Sequence, residues 1–244
     1  AQINRRTSGS SYYDLYEYLY QACVNLVGTS GITSNDCQQV RNATDAVEMN
    51  EEPALGFEPM VSPCPAGQVP SDMFVDNMES GSTKWTFSNL SGSNSWYLFN
   101  SYATSGTWAL TVDDVDFPSD SVSAMNQNVT LPANAFLYFR HAFEFEPGFD
   151  GGVLEYSINS GSTWIDAGSL WIAGKNYGGT ISNLWGNPLG GRSAFVAESH
   201  GYVASKYSLS SLAGQAVRFR FREANDSSVA ALGWAIDDVR ICTC

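Results

Sequence analysis

Apolar residues follow a helical period in the first part of this chain. From Leu15 to Leu26 they recur at spacings of three and four residues, which is typical of a helix that buries one face. The pattern predicts a helix over 12–27. Gly28 is expected to end it, because glycine is common just after a helix.

A polar start signal predicts a second helix. Thr33 and Asp36 have the spacing of a capping box, in which each side chain accepts a hydrogen bond from the other residue's backbone N–H. The residues expected on the buried face are Cys37, Val40, Ala43 or Thr44, and Val47. Residues 1–50 are therefore predicted to form a helical hairpin, and a disulfide bond between Cys23 and Cys37 can join its helices.

Prolines then interrupt every regular pattern. Five of them fall between Glu51 and Asp72, where no hydrophobic period is present. We interpret residues 51–72 as a proline-rich linker. Cys64 lies in this segment and needs a distant partner, which the pair Cys242 and Cys244 supplies.

From Met73 onward the pattern is that of short β-strands. Alternating or continuous apolar runs are separated by turns rich in Gly, Ser, Asn and Asp, as in antiparallel sandwiches. The runs lie at 84–87, 95–99, 108–112, 135–145, 152–158, 203–209, 216–222 and 234–241. The predicted fold class is mainly β: an antiparallel jelly-roll β-sandwich over 73–244, preceded by the N-terminal α-helical hairpin. The opening segment 73–81 and the closing segment 233–241 are expected to meet in one sheet.

The balance of charge narrows the range of partners. The formal net charge of −13 argues against binding nucleic-acid phosphates or an anionic membrane surface. No apolar run reaches the roughly 18 residues that a membrane helix needs. A surplus of carboxylates does favour a hard cation such as calcium.

Carboxylates on the opening and closing segments and after one central run are the candidate calcium ligands. They are Asp76, Glu79, Asp113, Asp114, Asp237 and Asp238. If the fold brings its two ends together, these groups can supply the several oxygen ligands that calcium needs. The alternative is that they cap turns in a protein that is merely acidic.

Motifs of known catalytic sites are absent. The chain has no His-Glu-x-x-His, Gly-x-Ser-x-Gly, phosphate loop or dinucleotide fingerprint. We interpret His141 and His200 as packing or hydrogen-bonding residues. Glu144 and Glu146 share one face of a predicted strand, too close and too parallel to flank a glycosidic bond, so they are interpreted as solvated or as cation ligands.

The long segment 168–195 is the candidate recognition surface. It is rich in glycine and carries the aromatic residues Trp171, Tyr177 and Trp185. Exposed aromatic rings can stack on the faces of sugars or anchor a protein interface. The alternative is a loop that folds back and covers its own core.

The cysteines indicate an oxidising compartment. Five of them in an acidic chain rich in Ser, Asn and Gly favour disulfide bonds, and the presence of only two histidines makes a zinc site the weaker alternative. Their odd number leaves one thiol free or paired with another chain. We therefore predict a secreted, extracellular protein.

Two sets of residues resemble a known family. Tyr12–Leu15, Ala22–Gly28 and Val40–Val47 resemble the last helical hairpin of the catalytic domain in thermolysin-like (M4) secreted metallopeptidases. The segments Phe-x-Asp-x-x-Glu-x-Gly from Phe74 and Gly-Trp-x-Ile-Asp-Asp-Val-Arg from Gly233 resemble the MAM-like jelly roll that follows such domains in bacterial secreted proteases. The resemblance implies a C-terminal portion of a metallopeptidase precursor.

The family's zinc-binding helix and catalytic histidine lie upstream of this region, so the resemblance carries over no catalytic residue. Members often have an aromatic residue where Cys242 stands. The resemblance therefore implies a bond between Cys64 and Cys244, and leaves Cys242 as a candidate for cross-linking to another chain.

Two functions follow as hypotheses. The first is a non-catalytic secreted module that binds a protein or glycan surface. The second is a structural subunit that self-assembles into an extracellular filament through the exposed helical hairpin or through Cys242. Peptidase activity of this chain is excluded, because its sequence lacks the zinc ligands.

Overall fold

The computed structural model describes residues 10–51 and 60–244. Residues 10–51 lie in one compact unit and residues 60–244 in a second. In these two ranges, neither helix has the length and apolar character needed to cross a membrane.

The first unit is a helical hairpin of α1 (Tyr12–Val24) and α2 (Ser34–Asp45). Both helices begin with a capping box, Ser11 with Asp14 in α1 and Thr33 with Asp36 in α2. The second box is the one that the sequence predicts.

Contacts between its two helices hold the hairpin together. A disulfide bond joins Cys23 to Cys37 across a Cα–Cα distance of 5.3 Å. The guanidinium of Arg41 lies 4.0 Å from the ring centres of both Tyr16 and Tyr20, a cation–π arrangement.

The helices differ from the prediction: no residue of α1 is fully buried, and both end earlier than expected. Helix α1 ends at Val24, because the N–H of Leu26 turns back to the carbonyl of Cys23. Val47 is 68% exposed, because α2 ends before it.

The second unit is a β-sandwich of fifteen strands within residues 60–244. They are β1 (Ser71–Asp76), β2 (Trp85–Ser91), β3 (Tyr97–Phe99), β4 (Ala109–Val112), β5 (Ser119–Met125), β6 (Val129–Thr130), β7 (Phe136–Glu144), β8 (Gly151–Ser157), β9 (Ile165–Asp166), β10 (Trp171–Gly174), β11 (Gly179–Thr180), β12 (Ser193–Ala194), β13 (Val203–Ser208), β14 (Ala216–Asn225) and β15 (Gly233–Thr243).

The strands form two main antiparallel sheets. The larger sheet has the order β10-β13-β7-β15-β4-β3, with β1 also paired to β15. The smaller has the order β2-β5-β14-β8-β9, with β6 also paired to β14. The predicted fold class, an antiparallel jelly-roll β-sandwich preceded by a helical hairpin, is confirmed.

The closing strand β15 is central to the larger sheet. One edge pairs with β7, and the other pairs first with β4 and then with β1. Phe74 lies opposite Ile241, so the two ends of the sandwich meet in one sheet as predicted. The register shifts between Asp237 and Arg240, where Asp238 has a positive φ of 50°.

The core lies between the two sheets and is rich in aromatic residues. Strand β14 shows how the sequence builds it: Phe219 and Phe221 point inward, whereas Arg220 and Arg222 lie on the outer face with Glu155. Trp234 is completely buried at the centre.

A disulfide bond joins Cys64, which precedes β1, to Cys244, which follows β15, and closes a sequence separation of 180. The described part of the predicted linker, residues 60–72, therefore contains the disulfide-bonded Cys64 and the first residues of β1. Residues 52–59 of that linker lie outside the described residues. Cys242 is free and 0% exposed. Its thiol cannot reach another chain in this structure, which corrects its assignment as a cross-linking residue.

Gly233 starts β15 in a conformation that a side chain would disturb. Its φ is +89°, and a Cβ would lie 2.1 Å from the carbonyl oxygen of Val112. We expect Gly233→Ala to lower the free energy of unfolding, measured in urea, by about 2–3 kcal/mol. Gly214→Ala is the control, with φ +80° and no atom within 4 Å, and should lose only about 1 kcal/mol. Equal losses would show that the close contact costs nothing.

Candidate functional site

The six carboxylates predicted to bind calcium do not converge. Asp76 is buried and accepts hydrogen bonds from Trp85 Nε1 at 2.8 Å and from the N–H of Met78 at 3.2 Å. Glu79 accepts from the N–H groups of Thr107 and Trp108, both at 2.7 Å. Asp76 and Glu79 therefore hold neighbouring segments of the chain through hydrogen bonds.

Asp237 and Asp238 have the same role at a second place. Asp237 accepts hydrogen bonds from the N–H groups of Thr104 at 3.1 Å and Ser105 at 2.9 Å, and burial raises its pKa to about 7. Asp238 forms an ion pair with Arg140 at 3.4 Å. The alternative interpretation, that such carboxylates anchor turns, describes four of the six.

Asp113 and Asp114 separate from each other although they are adjacent in sequence. Asp113 is exposed and accepts a hydrogen bond from the hydroxyl of Tyr97 at 2.6 Å. Burial and the Asp113 carboxylate raise the pKa of Tyr97 to about 12. Asp114 instead turns inward and joins a different group of carboxylates.

The aromatic residues of the segment 168–195 do not form one surface. Trp171 packs against the main core, and so does Tyr177, whose hydroxyl bonds to both backbone groups of Leu154. Trp185 is 61% exposed. The segment therefore folds back onto the sandwich, and of these three aromatic residues only Trp185 is largely exposed.

A groove of about 300 Å³ lies on the outer face of the larger sheet. Its floor is made of small residues on β4, β7 and β15, namely Thr111, Ala142, Gly233 and Ala235. Ala235 lies opposite both Thr111 and Ala142, so these side chains share one face across three neighbouring strands. Small side chains in the middle of a sheet leave a depression that larger neighbours border. The volume is at the lower end of the range of small-ligand sites.

One wall of this groove is aromatic. Tyr97 and Phe99 alternate along the edge strand β3, so both face outward, and their ring centres are 6.2 Å apart. Tyr102 follows in the next loop, with its ring 5.1 Å from that of Tyr202. The Tyr202 hydroxyl donates to the carbonyl of Tyr102 at 3.1 Å, which fixes this part of the wall.

The opposite wall is polar. Glu144 ends β7 and pairs with Glu198 through an isolated antiparallel bridge, and His200 follows with its Nδ1 3.4 Å from a Glu198 carboxylate oxygen. On the floor, Thr111 Oγ1 is buried and has no hydrogen-bond partner among the described residues. A ligand hydroxyl above Thr111 can supply that partner.

The sequence signal for this groove is weak because it is spread over the chain. Tyr97-Leu98-Phe99 alternates, but alternation alone does not say which face is covered. The small residues of the floor come from three strands that only the fold brings together.

The buried histidine is structural. Trp234 Nε1 donates to His141 Nδ1 at 3.1 Å, so the proton of the neutral ring lies on Nε2, 2.8 Å from Ser205 Oγ. Ser205 donates to the carbonyl of Lys175 at 2.6 Å. Burial lowers the pKa of His141 to about 3. His141 therefore donates to Ser205 and does not act as its base.

Metal-ligating side chains do come together at one end of the sandwich. Carboxylate oxygens of Glu146, Asp150 and Asp226 lie within 4.8 Å of one another. The sequence pattern predicts Glu146 beside Glu144 on one strand face, but β7 ends at Glu144: Glu144 lines the groove, whereas Glu146 joins the acidic group. A local signal exists, because Glu146 and Asp150 flank a Pro-Gly turn.

No protein-family model and no curated protein sequence matches this chain. Among similar solved structures, the K1 cleaved adhesin domain of Lys-gingipain from Porphyromonas gingivalis is 14% identical, with a TM-score of 0.44 over 70% of this chain and 98% of that one. TmCBM61 in complex with β-1,4-galactotriose is 15% identical, with a TM-score of 0.39 over 68% of this chain and 92% of that one.

The glycoside hydrolase domain of Endo-D from Streptococcus pneumoniae is 13% identical, with a TM-score of 0.42 over 64% of this chain. This chain spans 21% of that domain's length. At such identities the likeness concerns the fold and assigns no ligand to this chain. The resemblance to thermolysin-like metallopeptidases stays a prediction.

Proposed function

We propose that the sandwich is a non-catalytic, extracellular binding module that holds a neutral oligosaccharide in the groove of the larger sheet. The observation that carries the proposal is the groove itself: a floor of small residues between an aromatic wall and a wall of hydrogen-bond acceptors. In this proposal the module belongs to a secreted metallopeptidase precursor, for which the sequence resemblance is the support.

The chemistry of the walls fits a sugar. Tyr97 is half-buried and Phe99 is 36% exposed, so each offers part of a flat apolar ring to the C–H face of a pyranose. Glu144 and Glu198 accept hydrogen bonds from hydroxyl groups, and Thr111 Oγ1 has no partner in the groove floor. The carboxylates and the net charge of −13 disfavour an anionic polysaccharide.

The carboxylates of the polar wall also support a binding role. Glycoside hydrolysis uses two carboxyl groups that flank the scissile bond. Glu144 and Glu198 are neighbours across one backbone bridge, and both lie on the same side of the groove. They are therefore placed to orient hydroxyl groups of one face of a ligand.

Two disulfide bonds support the extracellular setting, because such bonds persist in oxidising compartments. Self-association is the alternative function, and one observation favours it: α1 has no buried residue, and Tyr12 is 78% exposed. The groove has no role in that alternative.

Binding to an array of neutral oligosaccharides tests the proposal. We expect the whole chain to bind at least one of them, and Tyr97→Ala or Phe99→Ala to weaken that binding at least about tenfold, since central aromatic residues carry much of such affinities. Trp185→Ala is the matched control, because this exposed aromatic residue lies outside the groove, and it should leave the affinity unchanged. The proposal fails if no oligosaccharide binds, or if the control loses binding while the groove variants keep it.

A further inference from the structure

The sandwich contains a group of buried carboxylates at one end, between its two sheets. Asp114 follows β4 and Glu146 follows β7 in the larger sheet, while Asp150 precedes β8 and Asp226 follows β14 in the smaller. Asp114, Asp150 and Asp226 are each at most 2% exposed. The loops at this end thus direct negative charge toward one another.

Hydrogen bonds hold these side chains in place. Asp114 accepts from the N–H of Glu146 at 3.1 Å and from Asn225 Nδ2. Asp150 accepts from the N–H of Asp226 at 2.6 Å and from Asn187 Nδ2 at 3.1 Å. The same Asn187 amide donates to the carbonyl of Ala224 at 2.8 Å, which ties the loops together.

Three carboxylate oxygens in this region have no partner among the described residues: Glu146 Oε2, Asp150 Oδ2 and Glu223 Oε1. Asp150 and Glu223 are 0% exposed, so these oxygens have lost water and gained no donor. Buried carboxylates are costly unless they are paired with a positive group or coordinate a cation.

The arginines of the sandwich do not supply that charge. Their ion pairs are made with carboxylates elsewhere, namely Asp72, Asp120, Glu155, Asp166 and Asp238. No described arginine thus pairs with Glu146, Asp150 or Asp226, and a small cation is a compensation that the spacing of their oxygens allows.

From this geometry we propose a calcium site formed by Glu146, Asp150 and Asp226, with Asp114 beside it holding the backbone N–H of Glu146. Oxygen ligands bound at about 2.3–2.6 Å to one Ca²⁺ lie at most about 5 Å apart, and the carboxylate oxygens of Glu146, Asp150 and Asp226 lie within 4.8 Å of one another. A site lined by so many carboxylates suits calcium better than magnesium, which prefers to keep its waters.

The acidic group is close in sequence to residues that line the groove. Asp113 and Glu144 line the groove, and Asp114 and Glu146 follow them one and two residues later. A bound Ca²⁺ therefore fixes the ends of β4 and β7, which carry part of the groove. This consequence rests on the proposed function, whereas the calcium site does not.

Calorimetric titration of the chelator-treated whole chain with Ca²⁺ alone tests the site. We expect one Ca²⁺ per chain, and a rise of roughly 5–10 °C in Tm at a hundredfold excess over Kd. Asp150→Asn keeps the shape of the side chain and should weaken Ca²⁺ at least about tenfold. Asp116→Asn removes one charge from an exposed position outside the group and should change nothing.

The proposal is overturned if Ca²⁺ gives neither heat nor a Tm shift, or if Asp150→Asn responds like the unmodified chain. Oligosaccharide binding is then compared with and without Ca²⁺. Calcium binding without any oligosaccharide binding would sink the proposed function and leave the cation site standing. Oligosaccharide binding by a chain that shows no response to Ca²⁺ would overturn the cation site and leave the proposed function standing.

Discussion

Replacing both Cys64 and Cys244 by serine is expected to lower the free energy of unfolding of the sandwich by about 4–5 kcal/mol. The bond closes a loop with a sequence separation of 180, and the conformational entropy that a cross-link removes from the unfolded chain grows with the length of the loop. Urea unfolding followed by tryptophan fluorescence measures the change. All seven tryptophans lie in the sandwich, and six of them are buried or half-buried, so their fluorescence reports its unfolding.

The bond between Cys23 and Cys37 provides the control. It closes a separation of only 14 and lies wholly in the helical hairpin. Its double serine variant should lose about 3 kcal/mol in the hairpin and leave the transition of the sandwich where it was. An unchanged sandwich after loss of Cys64 and Cys244 would contradict the entropic argument.

Trp234→Ala is expected to cost about 3–5 kcal/mol of unfolding free energy. Trp234 is 0% exposed, and its ring centre lies 5.4 Å from that of Phe195 and 5.6 Å from that of Phe221. The substitution leaves a cavity between the two sheets and removes the donor to His141 Nδ1. Thermal and urea unfolding both measure the loss.

Trp185→Ala is the matched control for that substitution. It removes the same side chain from a position that is 61% exposed, so the free energy of unfolding should stay within about 0.5 kcal/mol. Similar losses for the two variants would show that Trp234 does not occupy the centre of a packed core.

Local patterns predicted the parts of the fold that local interactions build. The capping box of Thr33 and Asp36 lies within four residues. Strand β14 alternates because one face packs in the core and the other carries the arginines that pair with Glu155 and Asp120. Strand β5 was missed for the opposite reason. Its serines are buried, and Ser119 and Ser121 donate to Asn225 and Glu223, so no hydrophobic alternation marks it.

Neither the groove nor the acidic group could be predicted from the sequence, because both depend on contacts between segments that are distant in the chain. The groove needs Tyr97, Thr111 and Ala235 side by side, and these residues come from three strands. The acidic group needs loops from both sheets. The sequence indicated calcium from the surplus of carboxylates, but it could not identify Asp150 and Asp226 as neighbours of Glu146.

The bond between Cys64 and Cys244 also decides how the sandwich responds to mechanical tension. A pulling force that enters the chain at Cys64 and leaves at Cys244 travels through one S–S bond, because the 180-residue separation between them is closed covalently. The strands and the groove inside that loop carry none of the load. Tension applied between these two cysteines therefore does not unravel the sandwich from β1 or β15.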